Sequence, residues 1–183
     1  KEDFPMNAKE CIRGRRSIRH YKDTPVPHEV LEEIIADAAY APSWKNTQIS
    51  RYVVVEGREA IDKLAAEYAP FNAKTVSTAP MLIVQTFIKN RSGYERDGSF
   101  TTDRGEGWQM YDAGIAAQTL CLSAHDHGLG TVIMGIFHRR ELEKYLNIPE
   151  DQEIAALIAL GYPDEEPKAP RRKDVETLLS YAD

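Results

Sequence analysis

Two short cationic blocks lie near opposite ends of this 183-residue sequence, and both have the chemistry to bind a small anion. Guanidinium groups present forked donors that match the oxygens of a phosphate group. The first block spans ten residues without an acid and contains Arg13, Arg15, Arg16, Arg19 and Lys22. The second spans six residues and contains Lys168, Arg171, Arg172 and Lys173. Either the two blocks meet in space around one anion, or each is solvated basic surface.

The first block also carries an alternating pattern that would form one wall of such a pocket. If a helix ends near Arg15 and the chain continues extended, successive side chains point to opposite sides. Ser17 and Arg19 then face one side, while Ile18 faces the other and anchors in the core. An arginine, a hydroxyl group and a second arginine would share one pocket.

The overall composition limits the kinds of fold and partner. With 42% hydrophobic and 28% charged residues, the chain resembles a globular protein with a buried core, and its length favours a single domain over residues 1–183. The net charge of −6 argues against binding nucleic acid or an anionic membrane through bulk charge. The longest apolar run, residues 154–160, is too short to cross a bilayer.

Hydrophobic periodicity predicts the elements that must position these residues. Helices are predicted over residues 7–15, 30–39, 59–67, 108–126 and 139–146, and strands over residues 51–56, 81–87, 131–134 and 154–161. Residues 20–27 are predicted to be extended, and the polar stretch 89–107 is predicted to be a lid or binding loop. Some connections are too short for parallel crossovers. The pattern therefore favours an α+β fold with a mixed sheet.

Several cofactor and metal motifs are incomplete. Gly128 and Gly130 close a helix and open a strand, and Ile133 stands where a dinucleotide fingerprint needs its third glycine. A helix C-cap at Gly128 is the better interpretation. His125 and His127 are two residues apart and do not share a helix face, so no metal site is predicted.

The two cysteines, Cys11 and Cys121, lie far apart in the sequence and form no C-x-x-C pair. Zinc, iron–sulfur and dithiol sites are therefore unsupported, and two buried thiols in a reducing compartment are expected. The start of the chain lacks the basic-then-apolar pattern of a secretory signal. We therefore expect a cytoplasmic protein.

Four motifs, taken together and in order, resemble those of the FMN-dependent nitroreductase family. The first is Arg15-Arg16-Ser17-Ile18-Arg19 with Tyr21 and Pro25, and the second is Ala41-Pro42-Ser43 with Asn46 and Gln48. The third runs from Asp112-Ala113-Gly114 through Gly128-Leu129-Gly130 to Met134-Gly135. The fourth is Leu160-Gly161-Tyr162-Pro163, followed by Glu166-Pro167 and Arg171-Arg172-Lys173. The resemblance covers roughly residues 7–176.

The resemblance implies a nitroreductase-like fold: a central mixed, largely antiparallel sheet flanked by helices, in an intertwined homodimer. Each of two FMN sites would lie at the subunit interface, and the tail, residues 163–183, would pack on the partner subunit. No nucleic acid or membrane partner is expected.

The resemblance also assigns roles to individual residues. Arg15 and Ser17, with Arg16 beside them, match the phosphate and ribityl contacts, and Arg19 matches the cation near the pyrimidine edge of the flavin. The loop offered to the flavin, largely by the partner subunit, contains Pro42, Ser43, Asn46 and Gln48. Looser matches to further polar flavin contacts are Asn72 and Lys74. The segment that approaches flavin N5 contains Met134 and Gly135, and the C-terminal phosphate contacts are Arg171 and Arg172.

The implied activity is hydride transfer from NADH or NADPH to FMN, followed by reduction of a nitroaromatic, quinone or similar acceptor in a ping-pong mechanism. The flavin carries the chemistry, so no side chain is assigned as catalytic. Two alternatives remain. One is the same fold with another flavin reaction, such as reductive dehalogenation of iodotyrosine, and the other is a non-catalytic flavin-binding module.

Overall fold

The computed structural model describes residues 7–182. The helices within this range are α1 (Ala8–Gly14), α2 (His28–Ala38), α3 (Arg58–Lys63), α4 (Ala73–Val76), α5 (Gly107–Asp126), α6 (Arg139–Tyr145) and α7 (Val175–Leu178). The strands are β1 (Ser50–Glu56), β2 (Met81–Ile88), β3 (Gly130–Met134) and β4 (Gln152–Gly161). Every predicted helix and strand is therefore present, with ends that differ by up to two residues, except for one helix described below.

The four strands form one sheet in the order β1-β2-β4-β3, and all three pairings are antiparallel. The α+β class and the largely antiparallel sheet are confirmed. Among residues 7–182, parallel pairing is confined to an isolated bridge between Ser17 and Thr131, on the outer side of β3. The central strands β2 and β4 are buried on both faces, which explains their nearly continuous apolar sequence.

Alternate residues of β2 point into two separate cores on opposite faces of the sheet. Leu82 packs with residues of α3 and α6, including Leu142, in one core. Ile83 packs with Ile34 of α2 and Leu120 of α5 in the other. Each fully buried side chain of this size stabilises the fold by about 1.5–3 kcal/mol. The long helix α5 thus covers one face of the sheet, and its side chains pack against the strands.

Of the predicted elements, the helix over residues 59–67 differs most from its prediction. It is α-helical only to Lys63, and Leu64–Tyr68 form a wider π-helical turn. The sequence patterns did not predict the two elements that follow, which are a short 3-10 turn, Pro70–Asn72, and the helix α4. The wider turn ends four residues before Asn72, and π turns are frequent near functional sites.

The tail begins against the body of the protein and then leaves it. Pro163 pairs with Tyr21 of the predicted extended segment, and the Asp164 N–H donates to His20 O at 3.0 Å. Residues 168–182 are exposed throughout, including the short helix α7. The side chains of Leu178 and Tyr181 are largely solvent-accessible within the single chain.

Candidate functional site

The segment that links α1 to the sheet is held in place by backbone hydrogen bonds. Asn7 and Glu10 form a reciprocal capping box that fixes the start of α1. At the other end, the Ile18 N–H donates to Thr131 O at 2.9 Å, which attaches the segment to β3. The Tyr21 hydroxyl group donates to Ile18 O at 2.5 Å from inside the core. The first cationic block is therefore fixed to the edge of the sheet.

The predicted alternation along this segment is confirmed. Ile18 is 6% exposed and packs in the core, whereas Ser17 is half-buried and Arg19 is exposed. Arg16, next to Arg15, also has a structural contact at the end of α1. Its guanidinium group donates to the last carbonyl groups of α1 at 2.6–3.0 Å, so in this structure it closes the helix.

A first depression of about 410 Å³ lies where the tail passes the end of α5. Its wall includes Arg15, Arg16, His125 and the segment 128–131 on one side and Glu165 and Glu166 on the other. Burial, followed by the positive charges of Arg15 and Arg16, lowers the pKa of His125. The Nε2 atom of His125 is buried and has no hydrogen-bond partner among residues 7–182. The structure thus gathers two arginines and a histidine around one hollow.

A second depression, of about 200 Å³, adjoins the first along β3. It is lined by Arg19, Asn72, Thr75 and residues 132–136, and Thr131, the preceding residue, lines the first. Asn72 Nδ2 donates to Ile136 O at 2.8 Å and so joins the turn after the π helix to the end of β3. Arg19, Asn72, Met134 and Gly135 are therefore brought together, whereas Lys74 is exposed on α4 and does not line the hollow.

The loop 42–48 lies elsewhere on the chain. Pro42, Ser43 and Gln48 line a third cavity of about 250 Å³ between α2, β1 and α5, which shares no lining residue with the other two. Asn46 is exposed and has a φ of 56°. Within one chain, the predicted flavin loop is thus separate from the cationic depressions, as expected if another subunit receives it.

Arg171 and Arg172 are not brought to the first block either. Both side chains are exposed, and neither has a hydrogen bond or ion pair with any residue that the structure describes. Neither residue lines the depression that contains Arg15 and Arg16.

A buried residue that the sequence patterns assigned no role is Asp112 on α5. It is 4% exposed, and its Oδ2 atom accepts hydrogen bonds from the Trp44 N–H at 2.9 Å and from the Ser92 hydroxyl group at 2.5 Å. The signal in the sequence is an acidic residue within a helix that is otherwise mostly apolar. Such a residue needs buried donors to compensate for its desolvation.

Two other expectations concern metals and thiols. Within residues 7–182, no group of three or more His, Cys, Asp or Glu side chains is placed to hold a metal ion. Cys11 and Cys121 are buried free thiols.

Within residues 7–182, every helix is too short or too polar to span a bilayer.

Comparison with known proteins agrees with this architecture. The sequence model of the nitroreductase family matches residues 12–162. An NADH dehydrogenase of Thermus thermophilus is 30% identical over 96% of both chains. A chloronitrobenzene nitroreductase of Comamonas testosteroni is 29% identical over 85% of this chain and 86% of its own. The solved structure of an FMN-dependent nitroreductase of Clostridium difficile superimposes with a TM-score of 0.76 at 27% identity, over 95% of this chain and 98% of that one.

The fold and these relatives define the protein as an oxidoreductase. The chain belongs to the nitroreductase family, because the family match covers most of its length, including every residue that lines the depression between Arg19 and Met134.

Proposed function

We propose that this protein is an FMN-dependent oxidoreductase that takes hydride from NADH or NADPH and reduces a small acceptor such as a nitroaromatic compound or a quinone. The observation that carries the proposal is the adjacency of the two depressions along β3. One presents Arg15 and the other presents Arg19 and Asn72, with Ser17 on the connecting segment. An elongated ligand with an anion at one end and a polar ring at the other fits this arrangement.

The donor groups suit the parts of FMN. The guanidinium group of Arg15 would bind the phosphate, and the Ser17 hydroxyl group would bind the ribityl chain. At the other end, Arg19 and Asn72 would face the polar edge of the ring. A Cβ built on Gly135 would meet no atom within 4 Å, so the backbone after Met134 is accessible to a ligand.

When bound, FMN supplies the redox chemistry by accepting hydride from the nicotinamide and passing electrons to the acceptor. The residues of this chain would bind and orient the FMN. Arg19 would place positive charge beside the ring, which would raise the reduction potential of the flavin. We expect ping-pong kinetics, because the nicotinamide donor and the acceptor would occupy the same open side of the flavin ring in turn.

The site is completed in a homodimer in this proposal. The loop containing Pro42, Ser43, Asn46 and Gln48 would reach the FMN bound by the partner subunit, and residues 163–183 would pack on that subunit as an extension of a single domain. Two observations support this arrangement. The loop lies apart from the cationic depressions, and Val175 and Leu178 of α7 expose apolar side chains that another surface would bury.

We place the reaction in the cytoplasm. Cys11 and Cys121 are both unpaired, which is typical of proteins from reducing compartments.

The decisive experiment is anaerobic reduction of the purified protein. We expect a yellow protein with flavin absorbance at about 450 nm that is bleached by NADH or NADPH and reoxidised by a nitroaromatic compound or a quinone. Iodotyrosine serves as the comparison acceptor. A colourless protein that takes up no FMN would overturn the proposal, and a bound flavin that neither nucleotide reduces would indicate a non-catalytic flavin-binding module.

A further inference from the structure

The loop 43–48 has an unusual backbone conformation. Lys45, Asn46 and Gln48 have φ values of 45°, 56° and 48°, which place three non-glycine residues in the left-handed region. Side chains disfavour this region, and such residues persist only where surrounding contacts hold them. The loop contains no glycine, so its shape depends on those contacts.

Contacts within the loop account for part of this shape. The Gln48 N–H donates to Ser43 Oγ at 2.9 Å, and the Thr47 N–H donates to Trp44 O at 2.9 Å. These bonds close the turn on itself but do not fix its position on the protein.

Asp112 provides that position through a closed set of hydrogen bonds. Its Oδ2 atom accepts from the Trp44 N–H at 2.9 Å and from the Ser92 hydroxyl group at 2.5 Å. Because the carboxylate only accepts, Ser92 uses its proton there, and the Thr47 hydroxyl group therefore donates to Ser92 Oγ, at 2.7 Å. Both ends of the 44–47 turn are thus attached to one buried carboxylate.

The same contacts join the loop to the polar segment 89–107. Besides Ser92, this segment contributes Glu95, whose carboxylate lies 3.0 Å from Lys45 Nζ. The Trp44 ring packs against Trp108 at the start of α5, with ring centroids 4.7 Å apart. Asp112 is in contact with both parts of this junction, because its Oδ2 atom accepts from Trp44 in the loop and from Ser92 in the polar segment.

We propose that Asp112 is a positioning residue: it holds the loop 43–48 in its left-handed conformation and thereby sets the affinity of the site for FMN. The effect on FMN rests on the proposed function, whereas the effect on the loop does not.

The test compares Asp112→Ala, Asp112→Asn and Ser92→Ala with the wild-type protein. FMN affinity is measured by titration, and the exchange rate of the Trp44 amide proton is measured in the apoprotein. We expect Asp112→Ala to raise the Kd for FMN by about 10-fold or more and to accelerate amide exchange. Asp112→Asn should have a smaller effect, because the carboxamide oxygen can still accept both hydrogen bonds, and Ser92→Ala should fall between the two.

The chain offers a matched control on the same helix. Ser123 is also buried on α5 and donates to Asp37 Oδ2 at 2.6 Å, far along the helix from Asp112. Ser123→Ala removes a bond of the same type and should lower the Tm as Ser92→Ala does. It should leave the Kd for FMN within about twofold of wild type.

The outcomes separate the two proposals. If Asp112→Ala folds, binds FMN as tightly as wild type and keeps the Trp44 amide protected, Asp112 has no positioning role. Equal increases in Kd for Ser92→Ala and Ser123→Ala would also overturn the inference, because they would show general destabilisation. If the wild type binds no FMN, the proposed function fails, while amide exchange in Asp112→Asn and Ser92→Ala still decides whether Asp112 holds the loop.

Discussion

Gly130 lies directly against the side chain of Ile18. A Cβ atom built on Gly130 would be 2.5 Å from Ile18 Cγ1 and 2.7 Å from Ile18 Cβ, closer than real Cβ contacts. The first residue of β3 must therefore be glycine for Ile18 to enter the core beside it. Since Ser17 and Arg19 flank Ile18, this contact also determines where the two proposed ligand-binding side chains lie.

We therefore predict that Gly130→Ala displaces the 17–19 segment. It should destabilise the protein by about 1–3 kcal/mol through overpacking and should weaken FMN binding as well. Urea unfolding and FMN titration measure the two effects. The control is Gly107→Ala at the start of α5, where a new methyl group meets nothing within 4 Å. Wild-type stability in Gly130→Ala would show that Ile18 moves at no cost.

Removing a proposed phosphate contact should weaken cofactor binding. A charge-assisted hydrogen bond contributes about 1.5–3 kcal/mol, so Arg15→Ala and Arg172→Ala are each expected to raise the Kd for FMN by roughly 10- to 150-fold. Lys168→Ala, in the same exposed tail, is the control for loss of general positive charge. Equal affinity in Arg172→Ala and wild type would remove Arg172 from the site.

Arg19 should affect the redox potential more than binding. Its positive charge is expected to favour the reduced ring, so Arg19→Ala should lower the flavin midpoint potential. Expressed as a free energy, this effect should exceed the binding free energy for FMN that the substitution removes. Potentials are measured by equilibration with reference dyes. Lys22→Ala, another exposed cation of the same block, should leave the potential unchanged. An unaltered potential in Arg19→Ala would contradict the role that we give to this residue.

His125 should make stability depend on pH in a defined direction. Because burial and the neighbouring Arg15 and Arg16 lower its pKa in the folded state, against a smaller opposite effect of Asp126, the unfolded chain binds a proton first as pH falls. Its contribution is therefore constant above the unfolded pKa of about 6.5 and is lost as pH falls through the folded pKa.

The measurement is Tm at about pH 7.5 and pH 5.5 for wild type, His125→Gln and His20→Gln. His125→Gln should lose less stability on acidification than wild type. His20→Gln, changed at an exposed position outside this depression, should behave as wild type does. An identical loss in all three proteins would mean that His125 does not contribute to this pH dependence.

Much of the fold could be predicted because its signals are local. The apolar runs of β2 and β4 and the cap at Gly128, whose φ is 74°, need no knowledge of distant residues. The burial of Ile18 also follows from simple alternation. By contrast, nothing in the periodicity of residues 59–67 distinguishes an α helix from one that widens at Leu64, because both bury the same apolar positions.

The details of the site depended on contacts that sequence patterns do not encode. Arg16 stands in a cationic motif, yet the nearest acceptors for its guanidinium group are the carbonyl groups that end α1. Asp112 and Trp44 are 68 positions apart, so their hydrogen bond depends on how α5 packs beside the loop. In the single chain Arg172 is exposed and does not line the depression that contains Arg15, although both belong to cationic motifs.

The bridge between Ser17 and Thr131 has a consequence for solubility. β3 is an outer strand of the sheet, and such a strand offers unpaired backbone groups to any other extended chain. The residues that lead to the proposed ligand site cover part of that edge, since the Ile18 N–H already occupies Thr131 O. Changes that detach the 17–19 segment would therefore expose a surface for edge-to-edge aggregation as well as disrupt the site.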